Sequence, residues 1–261
     1  MKNMPIHSRR ARAGFTIVEL LTVIAIIAIL AAMLLPVLSA ARTHAQRVQA
    51  HLQVVDIAQA IQKYDSDYGR FPTSQAAGTN DFTYGGTVFD AGRNLGGTVY
   101  TTPTSGVMMT NEEVIAILMD VTNYANGKPV LANLNYQRNP QQTIFLNPKM
   151  SGYDPSQPGP PEGGVDVTGV YRDPWGNPYI ISMDLNYDEN CKDSFYCLDK
   201  VSGNNQLAAN PGLNGLTTDG TANNFQYHGK VMVWSAGPNG KIDPGDPATD
   251  KENKDNVLSW Q

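Results

Sequence analysis

Glu19 sits inside the run Phe15 to Leu38, FTIVELLTVIAIIAILAAMLLPVL, which is otherwise broken only by Thr16, Thr22 and Pro36. A carboxylate placed in a bilayer costs on the order of 2.5 kcal/mol or more, so an acid there marks function and needs a partner. No Lys, Arg or His lies within a turn or two of it on the apolar side. A cut between Gly14 and Phe15 would create an α-amino group four residues before Glu19, cationic at neutral pH with an unperturbed pKa of about 8. The partner of the carboxylate would then be made by proteolysis.

Two other groups of residues bear on chemistry. Asn239 to Asp250, NGKIDPGDPATD, supplies Asp243, Asp246 and Asp250 among turn formers, with Asp255 close behind. Calcium takes six to eight oxygens from carboxylates and loop carbonyls, so these four aspartates are the best metal candidates; a plain acidic surface loop is the alternative. Asp184-Leu185-Asn186-Tyr187-Asp188 opens like a calcium-binding EF-hand loop, but Glu189 stands where Gly is required and Phe195 where the bidentate Glu belongs. His44 and His51, seven apart, lack a third ligand and read as solvated helix positions. There is no G-x-S-x-G, H-E-x-x-H or phosphate loop, so no catalytic residue is assigned and the chain reads as a non-enzyme.

The elements that position these residues follow from pattern and charge. The 24 residues from Phe15 would cross a hydrocarbon core of about 30 Å as a helix. They are too long, and too acidic near their start, for an ordinary cleaved secretory signal. Lys2, Arg9, Arg10 and Arg12 precede the span; without them 15 basic residues face 24 acidic ones, a net charge of −9. That balance excludes a phosphate-backbone binder. It also places the N-terminus in the cytoplasm and the bulk of the chain outside. Beyond Pro36, which would bend the helix or end it, Val54, Ile57, Ile61, Tyr64 and Tyr68 form one apolar stripe, and Arg42 and Arg47 are available as interfacial charges.

In the remainder, Thr110-Asn111-Glu112-Glu113 predicts a capping box opening a second helix that stops near Asn126-Gly127. Tyr179 to Met183 and Val231 to Trp234 read as strands. Asp173 to Tyr179, DPWGNPY, reads as the turn into the first of them, with Trp175 capping the core rather than stacking on a ligand. Phe82 to Pro103 and Pro155 to Gly164 read as loops, the former a surface decoration. The expected fold is α+β: a long N-terminal helix, membrane-spanning in its first half, packed on a small antiparallel sheet.

Gly14-Phe15-Thr16-Ile17-Val18-Glu19, after basic residues and before an apolar run containing Pro36, resembles the signal of type IV prepilins and type II secretion pseudopilins. The resemblance implies that a prepilin peptidase cuts after Gly14 and methylates Phe15. It implies too that Glu19 neutralises the N-terminus of the neighbouring subunit during assembly and that Pro36 kinks the helix. DPWGNPY, Trp234 to Gly240 (WSAGPNG) and Asp255 to Trp260 (DNVLSW) resemble the C-terminal half of major pseudopilins, which implies a small sheet joined by a calcium-binding loop. Extra length stands between Phe71 and Asp166 and between Leu185 and Gly229.

The chain therefore divides into a leader, 1–14, a helix, 15–68, and an extracytoplasmic pilin-like head with inserted loops, 69–261. Export makes a disulfide between Cys191 and Cys197 the natural reading. The expected function is a subunit of a type II secretion pseudopilus, with a type IV pilus subunit (adhesion, motility or DNA uptake) or a non-polymerising membrane-anchored binding protein as alternatives. Its expected partners are further pilins or pseudopilins, the peptidase, an inner-membrane assembly platform and the membrane itself, with no nucleic acid. It would reside in the inner membrane and then in a periplasmic or extracellular filament.

Overall fold

The computed structural model describes residues 16–74, 80–85, 110–203 and 211–261. Gly14, Phe15 and most of the Phe82 to Pro103 segment lie outside the described residues. The chain forms two compact units, Met1–His44 and Ala45–Gln261, and helix α1, Ile17–Tyr68, belongs to both.

In the first unit α1 carries an 18-residue window of mean hydropathy 2.9, none of it buried within the chain. Ile17, Leu21, Ile24, Ile27, Leu30 and Leu34 are all more than half exposed. Leaving that much apolar surface in water is unfavourable by about 25 cal/mol per Å², so the segment requires lipid or protein around it. The helix runs through Pro36, so the proline does not end it.

In the second unit the expected stripe is the buried face of α1. Val54, Ile57, Ile61 and Tyr64 are fully buried, while Tyr68 is half-buried. Each such aliphatic side chain contributes about 1.5–3 kcal/mol through burial. Tyr64, Tyr68 and Phe145 pack as a ring cluster, with centroids 4.7–5.9 Å apart. His44 and His51 are exposed, as solvated positions should be.

The strands are β1 (Phe82–Tyr84), β2 (Gly164–Val165), β3 (Tyr171–Arg172), β4 (Ile180–Met183), β5 (Asn190–Cys191), β6 (Tyr227–His228), β7 (Val231–Ser235) and β8 (Val257–Leu258). Four of them form an antiparallel sheet in the order β1-β4-β7-β8, with Ile181 opposite Val233 and Trp234 opposite Leu258. Successive side chains alternate between faces. Tyr179, Ile181, Met183, Val231 and Val233 therefore join the α1 core, and Ile180, Met232 and Trp234 join a second one. Long helix plus antiparallel sheet makes this an α+β, pilin-like architecture.

That second core revises the reading of the extra length after Leu185. Cys191, Phe195, Tyr196, Val201, Leu216 and Phe225 cover the far face of the sheet, so these residues of the inserted segment are core. Helix α2, Glu112–Leu118, is also shorter than expected, ending where Asp120 takes a positive φ of 59°. Its expected capping box does not form. Asn111 instead donates to the carbonyls of Tyr171 and Tyr179 and accepts from Tyr171 N–H, while Glu113 is bound to Ser74. A third helix, α3 (Asp199–Ser202), is a single turn.

Candidate functional site

At the start of α1, Thr16 occupies the cap position and Glu19 the third helical residue. Thr16 N–H donates to Glu19 Oε2 at 2.8 Å, and Glu19 N–H donates to Thr16 Oγ1 at 3.2 Å. The Thr16 hydroxyl donates to the same Oε2 at 2.8 Å. This is a reciprocal capping box, worth about 1 kcal/mol to the helix end. The carboxylate thus holds two donors of its own first turn before any cation is supplied. Sequence reasoning sought its partner only among charged groups and missed the T-x-x-E spacing that gives this one. Gly14 and Phe15, where cleavage is expected, lie outside the described residues; Pro36 lies within the helix.

Residues 9–35 match the prokaryotic N-terminal methylation motif. The N-terminal segment is type IV prepilin-like. The type IV wide pilus major component PilA4 of Thermus thermophilus is 44% identical over 68 residues, which are 26% of this chain and 52% of that protein. The match thus spans about half the length of that relative. No solved structure matches.

The C-terminal segments DPWGNPY and WSAGPNG meet around Asp173. Its Oδ1 accepts from Trp175 N–H (2.9 Å) and Asn177 N–H (2.8 Å); its Oδ2 accepts from Ser235 Oγ (2.6 Å) and Asn177 Nδ2 (3.2 Å). Asn177 Nδ2 also reaches Gly237 O at 2.8 Å, so one buried acid ties DPWGNPY to WSAGPNG. Burial pushes its carboxyl up to about 6, against the hydrogen bonds from Ser235 and Asn177. Gly237 has φ +67°, and a Cβ there would lie 2.0 Å from Asp255 O, so only glycine fits. Asp193 does similar work across β4 and β7, accepting from Ser182 Oγ and Trp234 Nε1 on Oδ2. Trp175 is half-buried.

The four aspartates proposed for calcium do not fit that role as arranged. Among the described residues no three His, Cys, Asp or Glu side chains converge as a metal site. Asp246 pairs with Lys251 (2.8 Å) and Asp255 with Arg47 (2.6 Å); Asp250 accepts from Thr249 and Asp243 Oδ1 from Gly245 N–H. The oxygens that do converge are carbonyls, those of Asp243, Asp246 and Pro247, and they meet the Asn253 amide at 2.7, 2.9 and 3.3 Å. Asn253 Oδ1 accepts Asp243 N–H in return. A neutral amide is thus the group on which those carbonyls converge.

The expected Cys191–Cys197 disulfide is absent, and both thiols are free and buried. Cys191 lies in the β5 ladder opposite Tyr227, whereas Cys197 closes a turn on Asp193 O and donates its thiol to Ser194 O. Burial pushes Cys197 up to about 12 and Cys191 well above the usual thiol range. The EF-hand-like start at Asp184 is a self-contained turn, its carboxylate taking the N–H groups of Asp188 and Glu189.

Proposed function

We propose that this chain is a structural subunit of an extracytoplasmic helical filament. It is made as a precursor, cut between Gly14 and Phe15 and methylated on Phe15, and held before assembly in the inner membrane with its C-terminal bulk outside. The observation that carries this reading is the N-terminal half of α1: a helix that buries nothing within its own chain, opened by a capped acid and matching the methylation motif. Neighbouring copies in a bundle supply the apolar surroundings that the membrane supplied before. Its partners on this account are further copies or related pilins, a prepilin peptidase and a membrane assembly platform; no residue is given a catalytic role.

Similarity to a type IV wide pilus component supports the pilus branch of the family. The pseudopilus of type II secretion is the second reading, supported by the Asp173-centred junction of the two segments that resemble major pseudopilins. Co-expression with a prepilin peptidase and assembly platform, followed by electron microscopy, should show filaments containing the chain. A mature chain that stays monomeric would instead mark a membrane-anchored binding protein.

A further inference from the structure

A cavity of about 460 Å³ opens in the head between the end of α1 and the segment 131–138, lined by Arg70, Ser74, Glu113, Leu131, Gln137 and Arg138. Its two guanidinium groups are held from behind by carbonyls. Arg70 Nη2 donates to Gln137 O (3.2 Å) and Arg138 O (3.1 Å), and Arg138 Nη2 donates to Ser74 O (3.4 Å). Neither arginine forms an ion pair among the described residues, although acids outnumber bases in the head.

The acid that lines the cavity is already engaged. Glu113 Oε1 takes Ser74 N–H (2.5 Å) and Tyr84 OH (3.3 Å), and its Oε2 takes Ser74 Oγ (2.8 Å), so both of its oxygens are engaged by neighbours other than the arginines. Guanidinium forks match a carboxylate in two parallel hydrogen bonds and are more weakly hydrated than lysine. Leu131, 74% exposed, gives the cavity one apolar wall, and Gln137 Oε1 accepts no hydrogen bond among the described residues.

We propose that this cavity binds a carboxylate-bearing small molecule of the acidic saccharide class. Arg70 and Arg138 hold the carboxylate, Leu131 meets the apolar face of the sugar ring, and Gln137 accepts from a hydroxyl. The volume suits a small ligand. The excess negative charge of the chain repels polyanions at long range more strongly than a monoanion, so a single carboxylate suits a local pair of guanidiniums.

The test titrates the detergent-solubilised full chain with glucuronate, glucose and inorganic phosphate by calorimetry. Saturable glucuronate binding is expected, with glucose, which lacks the carboxylate, at least about tenfold weaker. Arg70→Gln and Arg138→Gln should each weaken glucuronate by about tenfold or more, while Arg47→Gln, outside the cavity, leaves it unchanged. Because either arginine change could loosen the fold, Leu131→Glu is the second arm: it puts a carboxylate at the rim of an intact cavity and should abolish binding. Glucose binding as well as glucuronate, or unchanged binding in Leu131→Glu, overturns the proposal. Phosphate binding as tightly as glucuronate would reduce the cavity to a bare oxyanion site and overturn the saccharide assignment.

Discussion

Replacing Asp173 by Ala should lower the melting temperature of the detergent-solubilised chain by about ten degrees. The side chain is fully buried and accepts four hydrogen bonds, from Trp175 N–H, Asn177 N–H, Asn177 Nδ2 and Ser235 Oγ. Hydrogen bonds to a charged acceptor are worth about 1.5–3 kcal/mol each, but neighbours are not additive, so about 4 kcal/mol is a conservative total. For a domain of this size about 1 kcal/mol shifts the midpoint by about 2–4 °C, which gives a fall of about 8–16 °C. Burial adds a pH signature. The folded carboxyl titrates at about 6 and its unfolded counterpart near 3.8, so between these values the folded state binds more protons. The contribution of this carboxyl to stability is therefore greatest below about pH 4 and falls by about 3 kcal/mol as pH rises through 6. Asp81, pushed up to about 7 mainly by burial, adds a slope of the same sign that extends higher. Asp173→Asn removes the first contribution and leaves the second. Thermal melts from pH 4 to 8 check this: a midpoint for Asp173→Ala within about 3 °C of the parent, or an unchanged pH slope in Asp173→Asn, refutes the reasoning.

Three further outcomes follow from the same geometry. Millimolar calcium should leave the melting temperature unchanged, because a bound ion must raise it by mass action; Asn253→Ala should lower it by several degrees with or without calcium, and a calcium-dependent rise would restore the metal site. Asp166→Ala, which strands Arg172 (5% exposed, 2.9 Å away), should cost about 3–5 kcal/mol in a thermal or denaturant melt, and a loss under about 1 kcal/mol would contradict a buried pair. Iodoacetamide at pH 8 should label neither cysteine in the folded chain and both after denaturation without reductant. Rapid native labelling would contradict their burial, and no labelling after denaturation would reveal a disulfide.

What was legible in the sequence was what local periodicity encodes. The Val54-Ile57-Ile61-Tyr64 stripe repeats at helical spacing, and Tyr179 to Met183 and Val231 to Trp234 are β-branched or aromatic runs between turns; each became the element expected. The four-residue capping pattern shows where legibility stops. Thr16-x-x-Glu19 closes its box where no other described residue of that unit hydrogen-bonds to those two side chains. Thr110-x-x-Glu113 has the same spacing, but Asn111 finds Tyr171 and Tyr179, and Glu113 finds Ser74. Tertiary hydrogen bonds win where the chain is packed. The second core was hidden for a related reason: Phe195, Tyr196, Leu216 and Phe225 have no period, and only their return across the sheet makes them neighbours. The same holds for Asn253, whose three carbonyl partners lie six to ten residues back along a loop.

The central claim is that a precursor is processed next to Glu19 to make a filament subunit. Intact mass and N-terminal sequencing of the chain recovered from membranes of cells expressing a prepilin peptidase test it most directly. The account predicts a mature chain that begins at methylated Phe15. A chain that keeps residues 1–14, or one cut elsewhere and unmethylated, would contradict it.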